Sequence, residues 1–162
     1  SVAGVLEANR ANCVEAAFVA ACGLWLAGEP PLLMDMGAAR GDVDHVVAIF
    51  RRRGLWGAIS KSNGPCLRYR DPIHRSLREL AISYFPQYLK GRRKTLRTYS
   101  VPVDMRRHDP RLWLTHPGFC HEVVDALTAA RHFDILPSAA ALRPIDSIEA
   151  YSNDLKEFPA PR

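Results

Sequence analysis

Apolar residues recur at helical spacing between residues 13 and 27. Val14, Phe18, Cys22 and Trp25 make a stripe that faces a core, and Ala16, Ala17, Ala20 and Ala21 keep its flanks slim. Asn12 is placed to cap this helix, and Gly28 followed by Pro30-Pro31 bars its continuation. The pattern then changes period. Residues 32–36 read as a buried strand, 43–50 as a Val- and Ile-rich strand, and 55–61 as its returning partner across a turn at 51–54. A second turn at Ser62-Asn63-Gly64-Pro65 precedes a short strand over 66–70.

Helical spacing returns at 75–85, with Leu77, Leu80, Ala81, Tyr84 and Phe85 inward and Pro86 as the stop. Residues 95–105 alternate loosely as a strand. Residues 118–131 read as a helix, with Val123, Val124, Leu127 and Ala130 inward. Residues 2–10 form a short helix or turn, and from Pro137 onward the chain reads as a draped tail. Helix, sheet, helix, helix defines an α+β class in one domain over residues 1–162.

Composition narrows the class of function. With 48% hydrophobic and 24% charged residues in 162, the chain is neither mostly disordered, collagen-like nor a coiled coil. The longest apolar run is broken by Gly23, so no membrane span or membrane partner is expected. No basic-apolar-small leader is legible, and four cysteines without a C-x-x-C spacing point to free thiols in a reducing, cytoplasmic compartment. His116, Cys120 and His121 read as polar residues around a helix start, not as metal ligands.

The net charge of +5 is uneven: zero over residues 1–67, +8 over 68–111 and −3 over 112–162. The basic block is densest at Lys90-Gly91-Arg92-Arg93-Lys94. Such a block suits nucleic acid, an anionic surface or an acidic substrate. The favoured reading is a solvated face, and nucleic acid is a partner that the charge permits without favouring.

Cys13 is the candidate with chemistry in it. It falls in the first turn of the buried helix, where unpaired N–H groups and the positive end of the helix dipole favour a thiolate. A nucleophilic thiol needs a base. His45 is the candidate, standing in an apolar row with Val47 and Ile49. A four-residue loop at 51–54 would set His45 opposite Ser60, Val47 opposite Ala58, Ile49 opposite Trp56 and Asp44 opposite Lys61. Cys13, His45 and Ser60 would then be nucleophile, base and orienting group. The residues alone leave open the alternative of a packed cysteine beside a hydrogen-bonded core histidine.

The stretches Asn12-Cys13-Val14-Glu15-Ala16-Ala17, Asp44-His45-Val46-Val47-Ala48-Ile49-Phe50 and Leu55-Trp56-Gly57-Ala58-Ile59-Ser60 resemble the transglutaminase-like core of the papain-like cysteine enzymes. The resemblance covers about residues 9–63. Residues 64–105 resemble an extension found in uncharacterised bacterial transglutaminase-like proteins; the basic extension as a whole runs over 64–111, and 112–162 supply a C-terminal helix and tail. The resemblance implies a central Cys-bearing helix packed on an antiparallel sheet. It also implies acyl transfer on peptide or protein amides by a hydrolase or transferase, without a cofactor. By position, Cys13 is the nucleophile and His45 the base. The family's Asp, four residues after a Trp, falls here on Ser60, counted from Trp56. Asn63 is an amide able to stand in for it, and Asn12 flanks the nucleophile. The alternative is an inactive transglutaminase-like module that binds through the basic 68–111 surface.

Overall fold

The computed structural model of the chain describes residues 1–62, 65–148 and 150. Helix α1 (Val2–Ala8) is capped by the Ser1 hydroxyl, and α2 (Cys13–Leu26) follows after a left-handed turn at Asn9. Strand β1 (Leu32–Met36) matches the expected span. β2 (His45–Arg52) and β3 (Leu55–Ile59) form a hairpin, and β4 (Tyr69–His74) pairs with β3. Helix α3 (Leu77–Tyr84), capped by Ser76, precedes the small hairpin of β5 (Leu89–Lys90) and β6 (Arg93–Lys94). The strand expected over 95–105 is two pieces, β7 (Thr98–Ser100) and β8 (Val103–Asp104), with Pro102 between them. Helices α4 (Pro110–Leu114) and α5 (His121–Ala129) lead to β9 (His132–Asp134), which pairs with β7. The architecture is mixed α+β, with a five-stranded antiparallel sheet in the order β4-β3-β2-β1-β8.

The two faces of the sheet carry different cores. On one, Ala17, Phe18, Ala21 and Leu24 of α2 pack on Leu33, Val46, Ala48 and Phe50, joined by Trp113, Val123 and Leu127. On the other, Leu80, Ala81 and Tyr84 of α3 pack with Tyr88 on Met34, Met36, Val47, Ile49 and Ala58. The buried face of α2 is therefore turned from the expected stripe. The small Ala17 and Ala21 let the helix approach the strands closely, while Trp25 lies at the edge, 37% exposed and stacked on Trp113 with centroids 5.8 Å apart.

The hairpin register also differs from expectation. The loop is the two residues Arg53 and Gly54, at φ 49° and 85°. Two positive φ values in succession make a turn whose twist matches that of the flanking strands. Ile49 consequently faces Ala58 and Arg51 faces Trp56. His45 lies beyond the paired part of β3 and faces Met36 of β1. The expected Asp44–Lys61 pairing is replaced by a loop contact, in which the Asp44 carboxylate accepts the Ala38 N–H at 2.7 Å. The slip is of two residues, so the inward and outward faces of β2 are as read from the sequence.

Candidate functional site

Cys13 opens α2 inside a capping box. Asn12 Oδ1 accepts the Glu15 N–H and the Glu15 carboxylate accepts the Asn12 N–H, both at 2.9 Å. Asn12 is thus committed to the cap. The thiol is free and half-buried, at a helix end whose first N–H groups lack intrahelical acceptors. The C-terminal end of α2 lies by Arg52, which pairs with Glu29 just past the helix. The 14 residues of α2 span about 20 Å, close to the reach of β2, which it packs along.

His45 is 7% exposed. By alternation with Val47 and Ile49 its side chain leaves the sheet on the α3 side, whereas α2 covers the other side. The imidazole and the helix that carries the thiol thus lie on opposite faces of the sheet. Tyr88 packs against the imidazole. Its ring stands edge-on to His45, with centroids 6.4 Å apart, and its hydroxyl donates to the Val43 carbonyl at 2.6 Å. Burial, then the charges of Asp42, Asp44, Cys13 and Asp35, hold the Tyr88 hydroxyl well above the usual phenol range. Burial pushes the His45 pKa down to about 4, only partly offset by the Leu67 carbonyl at the ring. The imidazole is therefore neutral at pH 7. Its Nε2 is closed to solvent and has no hydrogen-bond partner among the described residues, the Cys13 sulfur included.

Ser60 is not opposite His45. It follows β3, where its N–H donates to the Arg68 carbonyl at 2.6 Å and its hydroxyl bonds to the Leu67 carbonyl and, at 3.2 Å, to that of Arg68. Ser60 and His45 thus share a neighbour, the Leu67 carbonyl, and do not bond each other. Trp56 sits at the far end of the hairpin, opposite Arg51, whose guanidinium lies 5.4 Å over its ring. Asn63 lies outside the described residues. Cys120 is the buried N-cap of α5, and His116 Nδ1 accepts the Gly118 N–H at 3.0 Å.

A second polar centre escaped the sequence reading. Asp35, buried among apolar neighbours on β1, lies 3.1 Å from His132 Nε2, and His132 Nδ1 is 2.7 Å from the Ala130 carbonyl. The Asp35 N–H donates to Ser100 Oγ at 2.9 Å. Burial raises the Asp35 pKa against the opposing effect of His132. The available signal was one carboxylate inside Leu32-Leu33-Met34-Asp35-Met36, since a buried charge demands a partner.

The basic block is largely spent within the fold. Arg70 bonds Ser83, Gln87 and the Cys66 carbonyl and stacks on Tyr84, while Arg78 and Arg92 hold the carbonyls of Ile135 and Ile145. No helix among the described residues is long and apolar enough to cross a membrane. No protein-family model matches the chain, and no curated protein matches it.

Proposed function

We propose that the chain is a cysteine-dependent acyl-transfer enzyme of transglutaminase-like type that acts on amide bonds of peptides or proteins. One observation supports the reading: Tyr88, whose ring meets that of His45 edge-on, also feels the charge of Cys13. In the proposed cycle the His45 ring turns past the end of the sheet to meet the thiol, the Cys13 sulfur attacks the carbonyl carbon and its proton passes to His45. The C–N bond breaks, and His45 returns the proton to the leaving amine. Water or a second amine then attacks the thioester and regenerates the thiol. The Cys13 N–H is a donor for the oxyanion. Ser60 acts indirectly, through the Leu67 carbonyl that it shares with the His45 ring.

A second reading, an inactive module of the same architecture that binds through residues 68–111, is favoured by the sealed Nε2 of His45. The two separate on acylation. Incubation with p-nitrophenyl acetate, followed by intact-mass and peptide mapping, should give an acetyl adduct on Cys13 in the wild type. His45→Gln should cut its rate of formation at least tenfold. Acetylation that spreads over the cysteines at equal rates would remove the enzymatic reading and leave the binding module.

A further inference from the structure

Two arginines line a cavity in which, among the described residues, only Asp42 carries negative charge. The cavity, of about 220 Å³, is lined by Arg40, Gly41 and Asp42 from the β1–β2 loop and by Lys90, Arg93 and Thr95 around the β5–β6 hairpin. Neither the Arg40 nor the Arg93 side chain has a hydrogen-bond or ion-pair partner among the described residues. Asp42 offsets one of the three positive charges and is itself held in place by two hydrogen bonds. One oxygen accepts the Thr95 hydroxyl at 2.5 Å and the other the Val43 N–H at 3.0 Å. Lys90 is fixed with its ammonium on the Gly41 carbonyl.

The walls are held in place before any ligand arrives. The Ala39 N–H donates to the Thr95 carbonyl at 2.7 Å, and the Thr95 N–H donates to the Tyr88 carbonyl at 2.9 Å. Ala38 and Leu96 form a bridge between the two segments. Thr95 is buried, at 3% exposure, and Gly41, at φ 90°, turns the loop so that Arg40 and Asp42 face the same space.

Three cations beside one carboxylate leave the cavity with net positive charge, which favours an anion. Guanidinium groups suit carboxylate and phosphate oxygens in particular, because their planar donors bond two oxygens at once. The volume is below the ~300–1,000 Å³ of drug-sized ligand pockets, so it suits a small anionic group.

We propose that this cavity is a binding site for a small oxyanion, a carboxylate or a phosphate group, held by Arg40 and Arg93 with Lys90 beside them. The inference does not depend on Cys13 being reactive. Thr95 in the cavity wall bonds the Tyr88 backbone, and the Tyr88 ring meets that of His45.

The test is a titration of ¹⁵N-labelled protein with inorganic phosphate and, separately, with succinate, at constant ionic strength set by chloride. Saturable shifts confined to the Gly41, Asp42 and Thr95 amides are expected with at least one of the two, and the stronger binder identifies the source of the oxyanion. The variant Arg40→Gln/Arg93→Gln should keep the rest of the spectrum and weaken binding at least tenfold. Shifts that do not saturate, that chloride alone reproduces, or that persist unchanged in the double variant would overturn the proposal. A single Arg40→Gln variant, expected to weaken binding severalfold, gives the same decision if the double variant is poorly folded.

Discussion

The ring of Tyr88 meets the ring of His45 edge-on, 6.4 Å between centroids, and closes the imidazole away from water. The pKa of His45 is lowered from 6.5 to about 4 because burial disfavours the charged form. The folded protein therefore binds fewer protons than the unfolded chain between those two values. Its stability is highest above pH 6.5 and falls as pH drops toward 4, by a total on the order of 3 kcal/mol from this group. Urea unfolding at pH 7 and pH 4.5 should show the wild type losing clearly more stability than His45→Gln. Equal losses would mean that His45 is not buried as a neutral ring.

Ser60 tests how the imidazole is supported. Its hydroxyl bonds the Leu67 and Arg68 carbonyls and not His45. Ser60→Ala is expected to cost about 1–2 kcal/mol of stability. It should slow alkylation of Cys13 far less than His45→Gln does. Equal slowing in parallel iodoacetamide assays would restore a direct triad role to the serine.

Gly57 is a packing requirement of the hairpin. A Cβ there would stand 2.5 Å from Phe50 Cζ and 2.8 Å from the Arg70 carbonyl oxygen. The phenyl ring can yield, but the backbone of β4 cannot without loosening the sheet. Gly57→Ala should destabilise by about 1–3 kcal/mol, read as a lower denaturation midpoint. An unchanged midpoint would refute the close approach.

Phe18 tests whether α2 is held by its packing on the sheet. It is 1% exposed among Val46, Ala48, Leu33 and Trp113. Phe18→Ala should cost about 3–5 kcal/mol, measured by denaturant unfolding. A loss below 1 kcal/mol would show that the helix is anchored elsewhere.

The local features were legible in the sequence because they are local. The Asn12 cap, the start of α2 at Cys13, strand β1 and the two faces of β2 all follow from neighbouring residues. The register was not. Arg51 and Arg52 look like loop residues, yet they continue β2 as exposed positions and leave Arg53-Gly54 as the turn. A hydrophobic pattern constrains faces, and a slip of two residues leaves faces unchanged. The polar partners were hidden for a different reason. Tyr88 meets His45, and Asp35 meets His132 across 97 positions of chain, only because separate elements converge on the sheet. The basic block read as an open face, while Arg70, Arg78 and Arg92 turn inward to carbonyls that only the folded chain brings near.

The central claim is that Cys13 and His45 work as a pair. Iodoacetamide alkylation at pH 7, followed residue by residue by peptide mass mapping, tests it most directly. Cys22 serves as an internal control, half-buried on the same helix. The account predicts that Cys13 reacts at least tenfold faster than Cys22 in the wild type and loses that advantage in His45→Gln. Equal rates at the two cysteines, or a Cys13 rate untouched by the loss of the imidazole, would contradict it.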